Sequence, residues 1–307
     1  MSEAEARHVS GFVSILGRPN AGKSTLLNAL VGMKVAIVAD KPQTTRTAVQ
    51  GVLTVPEGQI VFLDTPGIHK ASSRLNRQMM DSVREALQER DLLLYVADAK
   101  APFTESDKHA LDLVKKAGTP VFLVLNKIDL LRDKKPLLPL LEKYRAAFDF
   151  AEFFTISAMK ADGLEKLRSA IMARLPEGPA YFPADHITDQ PERFLAAELI
   201  RERIIIETRE EVPHSVAVIV DLWDEKPAIT HILATIYVEK EGQKGILIGA
   251  GGAMLKEVGT KARIEMERMF GKKIFLELQV KARANWRENK AFLNTLDWRT
   301  MAGTDET

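Results

Sequence analysis

Across residues 8–175, short apolar runs alternate with stretches of helical spacing. Gly11-Phe12-Val13-Ser14-Ile15-Leu16 reads as a strand, and Thr25-Leu26-Leu27-Asn28-Ala29-Leu30 reads as a helix. The runs 49–55 and 59–63 flank Pro56-Glu57-Gly58, a turn signal, and predict a hairpin. Residues 92–97 and 121–125 are continuous apolar runs, the pattern of parallel strands buried on both faces. Residues 153–156 supply a sixth strand, while 74–90, 105–117, 137–148 and 163–175 have helical spacing. Residues 32–50 are polar and loop-like. This order argues for a doubly wound, mostly parallel α/β sheet, with ligands beyond the carboxyl ends of the strands.

The pattern then changes. Residues 175–183 hold three prolines and one glycine and read as a linker. Beyond them come a helix over 191–211, β-rich runs at 215–223 and 229–238, and Gly245-Ile246-Leu247-Ile248 leading into a glycine loop. A helix over 253–269 and an alternating strand over 273–280 follow. We therefore divide the chain into a first domain (1–178), a linker (179–190) and a smaller α+β domain (191–307).

Composition narrows the picture. The 307 residues are 46% hydrophobic and 28% charged, as in an ordinary soluble globular protein. The absence of cysteine excludes disulfides, thiolate metal sites and a cysteine nucleophile, and fits a reducing cytoplasm. No apolar run reaches the ~18 residues of a membrane span, and the polar start 1–7 lacks the shape of a signal peptide. The net charge of +1 conceals a strong asymmetry. Residues 244–290 carry eleven Lys/Arg against five Asp/Glu, whereas 185–225 carry four against eleven.

The candidate chemistry sits at predicted strand ends. Gly17-Arg18-Pro19-Asn20-Ala21-Gly22-Lys23-Ser24 is a G-x-x-x-x-G-K-S phosphate loop between a strand and a helix. Its backbone N–H groups, with those of Ala21 and Thr25, suit a chain of phosphates. Lys23 would reach the β- and γ-phosphates, and the Ser24 hydroxyl would ligate Mg²⁺. Asp64-Thr65-Pro66-Gly67 is D-x-x-G: Asp64 can hold Mg²⁺ through water, and the Gly67 N–H can sense the γ-phosphate. Asn126-Lys127-Ile128-Asp129 is N-K-x-D. The Asp129 carboxylate can accept from N1–H and N2–H₂ of guanine, a donor pair adenine lacks. Asn126 can address the Hoogsteen edge and tie neighbouring loops together, and the Lys127 stem can cover the base. In Ser157-Ala158, the Ala158 N–H can meet guanine O6.

These motifs resemble GTPases of the translation-factor class. Thr44-Thr45-Arg46 resembles the switch I motif, in which one threonine ligates Mg²⁺; either threonine could serve, and Thr45 is favoured. After Gly67 comes Ile68, where Ras-like enzymes place a water-positioning glutamine, and His69 reads as a solvated loop residue. Slow intrinsic hydrolysis follows, raised by a partner or a cation. In the resembling branch, asparagine at the Asn20 position goes with K⁺ beside the phosphates; the alternative is that Asn20 only braces the loop. Lys23, Thr45, Gly67 and Asn20 are thus the candidate catalytic set.

In the second domain, Gly249-Ala250-Gly251-Gly252 before a helix resembles the G-x-x-G loop of a type II KH domain, which admits a single-stranded nucleic-acid backbone. With the basic charge of that half, it marks Lys244, Gly249, Ala250, Gly251, Gly252, Lys256, Lys261, Arg263 and Lys281 as RNA-binding candidates. Taken together, residues 17–28, 41–46, 64–69 and 248–256 resemble the Era family of bacterial ribosome-assembly GTPases over nearly the whole chain. The resemblance implies a monomer that binds the 3′ end of small-subunit 16S ribosomal RNA rather than DNA. It further implies a role in maturing the small subunit, and a cytoplasmic location with peripheral association at the inner membrane. One departure is Ala250, where the family often has lysine, which shifts phosphate contacts toward Lys256 or Lys244. Three other readings compete. A tRNA-modification GTPase would call for a second catalytic domain and a cysteine, and a double-GTPase factor for a second P-loop. The third is a regulatory GTPase whose C-terminal domain binds protein or membrane.

Overall fold

The computed structural model describes residues 8–41, 43–68, 73–208, 212 and 215–298. The described residues within Met1–Ala36, Thr45–Lys70 and Gln78–Asp189 form one compact unit, and those within Ile37–Thr44, Ala71–Arg77 and Gln190–Thr307 a second. Position 69 lies outside the described residues.

The first unit is built on six strands: β1 (Val9–Gly17), β2 (Val49–Val55), β3 (Gly58–Asp64), β4 (Leu92–Asp98), β5 (Val121–Asn126) and β6 (Glu152–Thr155). They form one sheet in the order β2-β3-β1-β4-β5-β6. Only β2 runs antiparallel to its neighbour. The helices are α1 (Lys23–Val31), α2 (Arg74–Glu85, of which the residues from Gln78 onward fall in this unit), α3 (Glu105–Lys115), α4 (Leu137–Ala147) and α5 (Leu164–Met172).

The continuous apolar runs are explained by burial on both faces of the sheet. On β4, Leu92, Leu94 and Val96 pack with α1 and α5 through Leu26, Leu30, Leu167 and Ile171. Leu93, Tyr95 and Ala97 pack on the opposite face with α3 and α4 through Leu111, Val114 and Tyr144. Successive strand side chains point to opposite faces, so a strand covered twice has no polar position to give. Each such side chain contributes roughly 1.5–3 kcal/mol by leaving water. α3 shows the local logic of a helix. Thr104 and Asp107 form a capping box at its start, and Ala110, Leu111 and Val114 make its buried stripe.

The segment after α5 is held against the sheet. The buried Gln59 side chain accepts from the N–H groups of Tyr181 (2.8 Å) and Phe182 (2.9 Å) and donates to the Phe182 carbonyl (2.9 Å). Farther on, the Val52 N–H donates to the Ile187 carbonyl (2.8 Å), and the Thr188 hydroxyl to the Gln50 carbonyl (2.8 Å).

The second unit contains α6 (Glu192–Glu207), β7 (Ala217–Glu225), β8 (Thr230–Val238), α7 (Glu241–Ile248), α8 (Ala253–Phe270), β9 (Ile274–Ala282) and α9 (Lys290–Asn294). Its sheet has the order β7-β8-β9, with β7 antiparallel and β9 parallel to β8. Two helices thus bridge a parallel pair, where the sequence reading placed only a loop and one helix. Residues 245–248 belong to α7. α6 ends at Glu207, short of the expected 211, and its C-cap Thr208 is extended. A core of Leu199, Ile200, Ile204, Ile232, Ala234, Val258 and Ala262 joins α6 and α8 to the sheet. No described helix is long and apolar enough to cross a membrane.

Candidate functional site

The phosphate-type loop leaves β1 at Gly17 and enters α1 at Lys23. Gly17 has φ 145°, and a Cβ there would lie 2.1 Å from the Val96 carbonyl oxygen, so only glycine lets β1 pass β4 at this point. α1 starts from Gly22 in the left-handed region with no capping side chain, which leaves the first-turn N–H groups to an external acceptor. Lys23 is buried, and its ammonium donates to the Arg18 carbonyl at 3.1 Å. Burial lowers its pKa from the ordinary lysine value, against the opposing pull of Asp64.

Three oxygens converge beside it. The Ser24 hydroxyl donates to Asp64 Oδ2 at 2.6 Å and meets Thr45 Oγ1 at 2.8 Å. Thr45 Oγ1 also lies 3.4 Å from Asp64 Oδ2. The Thr44 hydroxyl instead donates to the Lys41 carbonyl at 2.7 Å, so of the two threonines it is Thr45 that reaches this cluster. Asp64 Oδ1 is buried without a hydrogen-bond partner. Burial pushes the Asp64 carboxyl up to about 6, although Lys23 and the hydroxyls of Ser24 and Thr45 pull it down. A buried carboxylate with one free oxygen beside two hydroxyls is a set of hard donors suited to a small divalent cation.

Gly67 is buried, and a Cβ on it would lie 2.7 Å from the backbone of Pro19, so the D-x-x-G turn packs directly on the phosphate loop. The Ile68 N–H donates to the Gly17 carbonyl at 3.0 Å. The Ile68 side chain is 4% exposed and sits in the core with Leu16 and Met80, which explains an apolar residue here.

The N-K-x-D segment closes the other side. Asn126, 2% exposed, donates to the Ala21 carbonyl at 3.0 Å and accepts from the N–H groups of Lys127 (2.8 Å) and Ala158 (3.0 Å). Its side chain ties the phosphate loop to the Ser157-Ala158 turn, and the Ala158 N–H expected to face guanine O6 donates to Asn126 here. Ser157 is buried and accepts from the Lys160 N–H at 3.1 Å. Lys127 has φ 68°, and its ammonium pairs with Asp98 at 2.8 Å. Asp129 is exposed. Asn20 is exposed with φ 63°.

The second unit carries a different site. Between α7 and α8, Gly251 and Gly252 have φ 59° and 80°, and a Cβ at either would meet nothing within 4 Å, so another backbone can approach closely. Ala250 is exposed on the same loop, whereas a Cβ on Gly249 would press on Met254 at 2.8 Å. Beside the loop lies a groove of about 370 Å³ between α8 (Leu255, Lys256, Gly259, Arg263) and β9 (Leu276, Leu278). Lys256 and Arg263 stand on this groove, though Arg263 is paired with Glu267 at 2.9 Å. Lys261 is held by Glu207 (2.7 Å) and Glu257 (2.8 Å), which raise its pKa, and Lys244 faces Glu241 at 3.8 Å. Lys281 falls with Phe275, Glu277 and Gln279 on the exposed face of β9, away from Leu276 and Leu278. A G-x-x-G loop implies an adjacent apolar groove, but the residues of its walls, Leu255, Leu276 and Leu278, were not singled out from the sequence. Their signals were the alternation along β9 and a glycine, Gly259, in mid-helix.

A phosphate-type loop at a doubly wound sheet edge, with a G-x-x-G loop on a separate β-α-α-β unit, defines the class: a P-loop GTPase with an appended KH domain. The family model described as 50S ribosome-binding GTPase matches residues 12–127, and that of the KH domain matches residues 211–287. GTPase Era of Syntrophus aciditrophicus is 50% identical over 286 residues, covering 92% of this chain and 93% of that protein. GTPase Era of Geobacter metallireducens is 48% identical over 94% of this chain and 97% of its own length. The chain belongs to the Era GTPase family. The fold is similar to the crystal structure of a single-substitution variant of Aquifex aeolicus Era bound to GDP·AlF4⁻, with a TM-score of 0.91 and 40% identity over 94% of this chain and 99% of that one. It is equally similar to Era in complex with MgGDPNP and nucleotides 1506–1542 of 16S ribosomal RNA, with a TM-score of 0.91 and 40% identity over 95% and 99% of the two chains.

Proposed function

We propose that this protein is a GTP-hydrolysing switch that binds the 3′ end of 16S ribosomal RNA through its KH domain and assists assembly and maturation of the small ribosomal subunit. The observation that carries the reading is the pairing of two sites in one chain: a closed ring of phosphate-loop, switch and N-K-x-D residues, and an open glycine loop over an apolar groove. In the first, Lys23 binds the β- and γ-phosphates, the α1 N–H groups cradle them, and the Gly67 N–H marks the γ-phosphate. Asp129 selects guanine, because the exposed carboxylate takes its paired donors. Ser24, Thr45 and Asp64 would hold Mg²⁺, which neutralises phosphate charge when bound. Asn20 would hold K⁺ close to the phosphates, adding positive charge where negative charge develops. Hydrolysis in matched KCl and NaCl tests this last step, and equal rates would leave Asn20 as a brace only.

In the second site, Lys256 and Arg263 flank a groove in which bases lie against Leu255, Leu276 and Leu278, while the strand's backbone passes Gly251 and Gly252. A cytoplasmic location follows from this partner, with peripheral inner-membrane association as the finer reading. The test is anisotropy of a labelled single-stranded RNA carrying the 16S 3′ sequence. Gly252→Asp and Lys256→Glu should each weaken binding, and added salt should weaken it in the wild type. Binding unchanged by both substitutions would move the RNA elsewhere and favour a protein or membrane partner.

A further inference from the structure

The phosphate loop has positive φ at Gly17 (145°), Gly22 (89°) and one residue that is not glycine, Asn20 (63°). A residue other than glycine persists in such a conformation only where the surroundings over-determine it. One pin is Asn126, which holds the Ala21 carbonyl. A second pin lies at the other end of the loop, from a variable position of the motif, Arg18, to partners outside every motif. The Arg18 guanidinium donates to Asp107 Oδ2 at 2.9 Å and to the Thr104 hydroxyl at 3.1 Å. Arg18 is one-third exposed, while the Asp107 side chain is 2% exposed.

Asp107 is held from all sides. Its Oδ2 also accepts from the Thr104 N–H (2.8 Å) and hydroxyl (2.9 Å), and its Oδ1 accepts from Tyr144 (2.9 Å) and, at 3.4 Å, from Tyr95. Those partners stand on β4, α4 and the start of α3, so the carboxylate is fixed to the sheet and to two helices. Burial and the Asp107 charge both raise the phenol pKa values, which keeps Tyr95 and Tyr144 as donors. The Arg18 carbonyl in turn accepts from the Lys23 ammonium. One residue therefore links the rigid α3 cluster to the lysine that meets the phosphates.

We propose that Arg18 and Asp107 are positioning residues for nucleotide binding: the buried carboxylate fixes Arg18, and Arg18 holds the phosphate loop and Lys23 in the binding-competent form before nucleotide arrives. The proposal rests on the GTP-binding reading above. Both side chains are engaged with each other and with Thr104 at the start of α3, which places the effect in ground-state affinity. If the loop without this pin is competent about one-tenth of the time, apparent Kd rises about tenfold, because affinity scales with the competent fraction.

The experiment compares wild type, Arg18→Gln, Arg18→Lys, Asp107→Asn and the double variant Arg18→Gln/Asp107→Asn. It reads Kd for a fluorescent GDP, KM and kcat for GTP, and Tm. Arg18→Gln should raise Kd and KM about tenfold with kcat within about twofold, and Arg18→Lys should recover most of the loss. Asp107→Asn should act on Kd in the same direction. The double variant should bind no worse than the weaker single, as two members of one network do. A merely structural ion pair would lower Tm and leave Kd and KM of the folded protein unchanged, and that result overturns the proposal. Additive losses in the double variant overturn it as well. Binding of GDP by the wild type in the same titration tests the parent reading separately.

Discussion

Replacing Asn126 by alanine removes one side chain that joins three loops. Asn126 is 2% exposed and makes bonds of 3.0 Å to the Ala21 carbonyl, 2.8 Å from Lys127 and 3.0 Å from Ala158. At roughly 1 kcal/mol net for each, the three together contribute about 3 kcal/mol. A unit of this size loses about 2–4 °C of Tm per kcal/mol, so nucleotide-free Asn126→Ala should melt about 6–12 °C below wild type in a calorimetric scan. The loosened phosphate loop should also weaken GTP and 7-deaza-GTP by the same factor, because the bond lost to Ala21 concerns phosphates and not the base. A Tm drop under about 2 °C would refute the three-loop accounting. A smaller loss for 7-deaza-GTP, which lacks the Hoogsteen N7, than for GTP would show instead that Asn126 acts on the base.

Asp129→Asn should move preference from GTP toward xanthosine triphosphate in competition binding, because an acceptor becomes a donor; retained GTP preference contradicts the assignment. Ile68→Gln should not raise hydrolysis, since this side chain points into the core with Leu16 and Met80; it should lower stability by about 2 kcal/mol through a buried, unpartnered amide. A gain in turnover would count against the geometry described. The raised pKa of Tyr95 and Tyr144 gives a pH dependence with a definite sign. Phenols whose folded pKa exceeds the unfolded value of about 10 contribute stability below that pH and lose it as pH rises further. Phenolate absorbance of the folded protein should therefore stay short of the value for its four tyrosines until it unfolds; full ionisation beforehand would mean that the cluster around Asp107 is open to solvent.

Most of the first unit was legible because its strands are covered on both faces, which writes burial into the chain as unbroken runs such as 92–97. The motifs were legible because phosphate and guanine recognition demand particular residue types just after those runs. α7 was hidden: Glu241–Ile248 contains Gly242 and Gly245, poor helix formers whose cost is met by packing of Leu247 in the core. The choice between Thr44 and Thr45 was hidden as well, since adjacent residues differ only in where the fold turns their hydroxyls. The charge count in residues 244–290 overstated the free cations, because Glu207 is distant in sequence from the Lys261 it pairs with. Arg18 and Asp107 are 89 positions apart, and only the packing of α3 beside β4 brings them together.

Gln59 bears on where the first unit ends as an autonomously folding piece. A proline-rich stretch invites a cut near Gly178, yet three of the four hydrogen bonds of the Gln59 amide run to Tyr181 and Phe182, which lie beyond it; the fourth is to Thr54. A fragment ending at Gly178 would leave a fully buried amide short of partners, at about 1–3 kcal/mol for each group left unpaired. It would also bare the N–H of Val52 on β2. A fragment carried through Asp189 retains these bonds, together with the one from Thr188 to Gln50. The fragment through Asp189 should therefore melt above the one ending at Gly178, the hydrogen bonds along β2 and β3 counting for more than the density of prolines.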